Sequence, residues 1–260
     1  MWHKYVMEIK KDGYMKYISH LDMVKLFKNA FKKAEIKLAY SQGFNPHPKM
    51  GFAQPLSLGY SSSCELLEFE TQESIDSTSA INRLQDNLPK GIEVLSCKAF
   101  THNKSFAART FAATYEISIP ISVENASNDS IFKQSGEDEL NKLRDAYLNQ
   151  EKILTLKKQK KTGKQTEIDI KNMIRKLDVA YISVQNSDVT DFDSDNSIAD
   201  NSIADIKQSV IVRIVITATL DSGSNSNLSP ELVFSTFVDF AKIDTPREEV
   251  DIKRTELFFE

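Results

Sequence analysis

Two hydrophobic periods alternate between Tyr5 and Phe100, and their order leaves few folds open. Tyr5, Met7 and Ile9 are apolar at every second position, the mark of a half-buried strand. Lys11-Asp12-Gly13 then reads as a turn and Met15–Ile18 as a short segment. In "SHLDMVKLFKNAFKKA" the period becomes helical, with Met23, Leu26, Phe27, Ala30, Phe31 and Ala34 on one face. Ser19 suits the N-cap, with Asp22 three residues on. A strand is expected from Lys37 to Tyr40, and "ELLEFE" alternates as another. A helix follows over 74–88 and a strand over 92–100. The order is β-α-β-β-α-β, the ferredoxin-like pattern of an antiparallel sheet with both helices on one face.

The rest of the chain repeats this order more loosely. Strands are expected at 114–121, 179–184, 210–220 and 250–259, and helices at 137–149, 170–177 and 230–240. Pro230 suits the first position of its helix. "KILTLKKQKKTGKQTEIDI" reads as a hairpin turning at Thr162-Gly163. The expected fold is α+β: two ferredoxin-like (βαββαβ-type) domains in tandem, antiparallel sheets with helices on one face. The first spans 1–104 and the second 105–260. Disordered insertions are expected near 122–136, which is polar, and 186–207, which holds the tandem duplication "DNSIADNSIAD".

The motif loop 41–65, "SQGFNPHPKMGFAQPLSLGYSSSCE", interrupts the first pattern. Three of the chain's seven prolines lie within Pro46–Pro55, and three of its eight glycines are Gly43, Gly51 and Gly59. His47 is flanked by two prolines, so its imidazole is presented with little backbone freedom. Lys49 follows on the same side, and Ser41, Gln42 and Asn45 add polar groups. Phe44, Phe52 and Tyr60 are either stacking platforms or anchors of the loop, with Phe52 read as an anchor. Glu65 is expected to pair with Lys49 or His47, or else to be an exposed strand glutamate. His20, in the first helical turn, meets the positive end of the helix dipole, where an uncharged imidazole can act as a base, bond a ligand or cap the helix.

Charge is uneven. The net charge is −4, yet residues 1–54 hold ten Lys and four acids, and residues 185–205 hold six Asp with no Lys or Arg. A basic first third suggests a local anionic partner. Lys25, Lys28 and Lys32 share a helix face, either solvated or bound to phosphates. Lys157, Lys158, Lys160, Lys161 and Lys164 crowd the hairpin, where they suit phosphate contacts or protect an edge strand.

Several chemistries lose their signatures. The two cysteines, Cys64 and Cys97, have no metal-like spacing and read as buried thiols. There is no CxxxCxxC, so no iron–sulfur cluster, structural zinc or other cofactor is expected in this chain. Walker, GxGxxG, HExxH and GxSxG motifs are missing. No apolar run nears the roughly 20 residues of a membrane span. The start, "MWHKYVMEIKKDG", resembles no signal or transit peptide, so a cytoplasmic location is expected.

The motifs Ser19–Asp22, Tyr40–Pro48 and Pro55–Glu65 together resemble the signature of the radical-SAM-linked proteins, a bacterial domain of unknown function. "LPKGIEV", "KKTGKQTEIDI" and "IKRTELFF" fit as well. His20, Asp22, Ser41, Gly43, Asn45, Pro46, Gly59, Glu65 and Arg254 match that family's pattern. Such proteins are encoded beside, or fused to, a radical SAM protein with a cobalamin-binding-type domain, often near ribonuclease G and ribosomal protein genes. The resemblance implies an accessory role in RNA or ribosome-related modification, with the cluster held by the partner. The expected substrate-binding set is His20, Asp22, Ser41, Gln42, Gly43, Phe44, Asn45, His47, Lys49 and Glu65. The alternative is a metal-independent endoribonuclease of the CRISPR repeat-processing type, with His20 and His47 as acid and base and Lys49 stabilising the phosphorane. Against it, the last 90 residues hold only Gly223 and no glycine-rich loop.

Overall fold

The structure, a computed structural model, describes residues 2–121, 137–158, 163, 165–184 and 211–260. Both expected insertions, 122–136 and 186–207, lie outside these residues. The described chain is α+β, with five α-helices and one large, mostly antiparallel sheet.

Strand β1 (His3–Lys11) buries every second side chain, as its alternation dictates. Helix α1 (His20–Lys33) starts where the Ser19 hydroxyl accepts the Asp22 N–H, and buries Met23, Phe27, Ala30 and Phe31. Helix α2 (Ser77–Gln85) is capped by Asp76. Both helices cover the face of β1, β3 (Ser61–Thr71) and β4 (Ile92–Ala99) that carries Tyr5, Met7, Ile9, Leu67 and Phe69. A second apolar cluster joins β5 (Thr110–Ile121), α4 (Glu137–Leu148), β8 (Ile174–Val184), β9 (Ile211–Asp221), α5 (Pro230–Ala241) and β10 (Asp251–Phe259).

The strand order is β4-β1-β3-β10-β5-β9-β8, with β2 (Met50–Phe52) also on β3. Separate sheets were expected in tandem; the two halves instead share a single sheet. They meet where Lys253 and Arg254 of β10 pair in parallel with Ser61 and Ser62 of β3. On β3, β1 occupies one side. The other is divided between β10 at Ser61–Ser62 and β2 at Leu67–Phe69. β6 (Leu154–Lys158) and β7 (Gln165–Asp169) form their own ribbon, as the hairpin pattern predicts.

Other differences have local causes. The strand expected at Lys37–Tyr40 is reduced to isolated bridges, Leu38 with Thr71 and Tyr40 with Pro48. The edge ladder forms later, at Met50–Phe52, where no proline removes an N–H donor. The helix expected over 170–177 is only a 3₁₀ turn at Lys171–Met173; from Ile174 the chain pairs with β9, and that pairing outweighs helical periodicity. The four-residue helix α3 (Phe106–Arg109) has too little sequence to show a period.

Candidate functional site

The motif loop divides into an exposed tip and a buried strap. At the root of the tip, the Ser41 N–H donates to the His47 carbonyl at 2.8 Å, and the His47 N–H donates to the Ser41 hydroxyl at 2.9 Å. Below it, the Lys49 N–H donates to the Ala39 carbonyl at 2.8 Å. Between these ties Gln42, Gly43, Phe44, Asn45, Pro46 and His47 are exposed. Gly43 takes φ 142°, a conformation that favours glycine. Phe44 is as exposed as a free residue, at 112%. It does not anchor the loop, whereas Phe52 does: its ring meets Phe27 and His20 edge-on at 5.8 and 5.7 Å.

Lys49 is engaged at the sheet. Its ammonium pairs with Glu70 at 3.0 Å and lies 3.7 Å from the centre of the Trp2 ring. His20 is half-buried against Phe52. Among the described residues, His20, His47 and Lys49 thus have separate neighbours. Asp22 is committed to the start of α1, accepting from the Ser19 hydroxyl at 2.7 Å and from Lys25 at 3.2 Å. The Ser19 hydroxyl first, then Lys25, hold its carboxyl below the usual range.

The strap runs from Ala53 to Tyr60 and is fixed by charge. Glu65 pairs with neither Lys49 nor His47, and it is not exposed. Its carboxylate takes Arg254 Nη2 at 2.6 Å on both oxygens and Arg254 Nε at 3.0 Å. Arg254 also donates to the carbonyls of Gln54 at 2.9 Å and Pro55 at 3.5 Å. Both charged side chains are buried, Arg254 completely. Burial alone would lower the arginine's pKa; the Glu65 charge and hydrogen bonds outweigh it and hold it above its ordinary value. Lys11 is buried nearby, donating to the carbonyls of Lys16 and Ile18 at 3.4 and 3.2 Å. Burial first, with Arg254 adding and Glu65 opposing, pushes its pKa down. Burial, then the Glu65 charge, push the Cys64 thiol up to about 11, so it stays an inert thiol. Leu56 and Tyr60 enter the apolar cluster of the second half, where the Tyr60 hydroxyl donates to Glu231 at 3.2 Å.

Lys11 was not singled out in the sequence. An apolar residue would suit the inward position closing β1, and a lysine there is the signal that could have found it. Of the helix lysines, Lys25 and Lys32 are exposed and Lys28 is half-buried. On the ribbon Lys157 is exposed, opposite Thr166. The side chains of Lys158, Lys160, Lys161 and Lys164 lie outside the described residues.

A family profile described as "Uncharacterized protein conserved in bacteria (DUF2344)" matches residues 4–230, which include the tip and the strap. The chain belongs to this family. No curated protein matches it. Among solved structures, an unknown protein from Galdieria sulphuraria aligns over 99% of each chain at 11% identity, with a TM-score of 0.24. That likeness is too low to bear on the fold. Among the described residues no helix is long and apolar enough to cross a membrane, and no group of three or more His, Cys, Asp or Glu is placed to hold a metal.

Proposed function

We propose that this chain is a non-catalytic accessory protein that presents an RNA substrate to a radical SAM partner of the cobalamin type, in RNA or ribosome-related modification. One observation carries the binding role: Phe44 projects fully into solvent from a loop tied at its root by Ser41 and His47. An exposed aromatic on a loop tied at its root suits a base-stacking platform. Gln42, Asn45 and His47 beside it supply hydrogen-bonding groups. The exposed lysines of α1 and Lys157 supply phosphate contacts without reading sequence.

The partner rests on the resemblance of the three motifs to the radical-SAM-linked proteins. Many residues of those motifs serve the frame in this chain: Ser19 and Asp22 cap α1, Ser41 ties the tip, and Glu65 holds Arg254. What the frame leaves outside is Gln42 to His47, and that is the surface assigned to the substrate.

We also read each half as a ferredoxin-like unit, divided near residue 104. The orders β4-β1-β3-β2 and β10-β5-β9-β8 place first, second, third and fourth strands alike, which supports that reading. Filter binding of tRNA and rRNA fragments over a salt series tests the function. Binding that weakens with salt and with Phe44→Ala is expected. Absent or salt-independent binding overturns it, and failure to co-purify with the radical SAM partner removes the accessory role.

A further inference from the structure

The connection from β4 to β5 must pass three strands. β4 is the sheet's edge, and β1, β3 and β10 separate it from β5. Phe106 shows the route: its N–H is held by the carboxylate of Glu68. Glu68 alternates with Leu67 and Phe69, which face the helices, so the connector runs over the opposite face. Between this strap of chain and the strands lies a cleft of about 410 Å³. That volume is within the roughly 300–1,000 Å³ of small-ligand sites.

Two rows of paired residues cross its floor. Lys4 stands opposite Glu70, which holds Lys49; beside them Gly51 stands opposite Glu68. His102 and Lys104 come from the connector above. Both acids are already engaged, Glu70 by Lys49 and Glu68 by the N–H groups of Phe106 and Ala107. Lys4 and Lys104 enter no salt bridge among the described residues. The cleft therefore sets three lysines, Lys4, Lys49 and Lys104, and an imidazole against two carboxylates, with the Lys4 charge acting on Glu68 and the Lys49 charge on Glu70. Gly51 keeps it open: a Cβ there would meet nothing within 4 Å.

We infer that this cleft binds a small phosphorylated molecule, its phosphate between Lys4 and Lys104 with His102 alongside. Two ammonium groups from separate elements, β1 and the connector, match a compact dianion. The site is separate from the Phe44 tip, and neither reading depends on the other.

The chain carries a reporter. Trp2, its single tryptophan, lies against Lys49, a residue of the cleft wall. AMP titrated into the full chain at low ionic strength should change Trp2 fluorescence saturably, with the same midpoint by calorimetry. Lys104→Glu, on the exposed connector, should weaken binding at least about tenfold, a difference of roughly 1.4 kcal/mol. Gly51→Leu should abolish binding with the thermal midpoint retained, because the new side chain fills open space at ordinary φ. Phe44→Ala should leave AMP binding unchanged. No saturable signal with AMP or inorganic phosphate overturns the assignment. So does adenosine binding as tightly as AMP, or AMP affinity that survives both Lys104→Glu and Gly51→Leu.

Discussion

The chain connecting α1 to β2 and the chain connecting α4 to β8 occupy the same place in the two halves, yet they are built differently. The first has no ladder of its own beyond a bridge between Tyr40 and Pro48; its shape comes from two prolines, a glycine at positive φ and the Ser41–His47 ties. The second pairs with itself as β6 and β7 from Leu154–Asp169 to Lys158–Gln165. One offers an aromatic ring, the other a lysine on a ribbon. A loop fixed by side chains can aim one group, whereas a ribbon fixed by its backbone tolerates any charged residue along its edge. The first construction suits selectivity and the second suits affinity.

The largest expected effect tests what holds the strap that follows the first connection, beyond β2. Glu65→Ala leaves Arg254 buried without its counter-charge and should cost about 3–5 kcal/mol in denaturant unfolding. Glu65→Leu combined with Arg254→Met should recover much of that loss. If Glu65→Ala costs under about 1 kcal/mol, the strap is not held by this pair, and the motif loop is fixed by its Ser41–His47 ties alone.

A pH series tests the two attachments to α5 next. Tyr60 ends the strap and Tyr147 lies in the last turn of α4, before the ribbon; both hydroxyls bond to α5, at Glu231 and Thr236. Burial pushes both phenols from 10.0 to about 12. The folded chain thus holds these protons while the unfolded chain releases them. The stabilisation is complete below pH 10 and should fall as pH rises toward about 12. Chemical denaturation across that window should show the fall, reduced by Tyr60→Phe and by Tyr147→Phe. A decline untouched by either substitution would place its origin elsewhere.

Smaller effects read the surfaces. Phe44→Ala should cost about 1–3 kcal/mol of RNA binding, measured by filter retention, with folding stability within about 0.5 kcal/mol of the parent. Lys157→Gln should cost less at moderate salt and lower the slope of log affinity against log salt by about 1. Equal effects of the two substitutions on that slope would erase the division between selective tip and electrostatic ribbon.

The alternation in β1 and the apolar face of α1 were legible in the sequence because their periods follow from geometry. So was the hairpin, since its turn carries Gly163 at φ 68°. The exposed His47 followed from its flanking prolines. The joined sheet did not, because pairing Ser61–Ser62 with Lys253–Arg254 leaves no period in either segment. Glu65 was placed with the wrong cation for the same reason: its partner lies 189 residues away, and only the register of β10 brings it there. Lys49 was assigned to the tip by proximity in the chain, while Trp2 and Glu70 drew it to the sheet. Local chemistry survives translation from sequence; choice of a distant counter-ion depends on topology.

The place of β10 has a consequence for synthesis. It leaves the ribosome after every strand it joins, yet it lies in the middle of the sheet, between β3 and β5. Until it arrives, β3 and β5 each have an open edge beside it, and Glu65 has no cation to take. The first half must wait for this strand before the sheet can close. A message truncated just upstream of Asp251 would yield a polypeptide with all the motif residues of the tip and no means of closing the sheet beneath them.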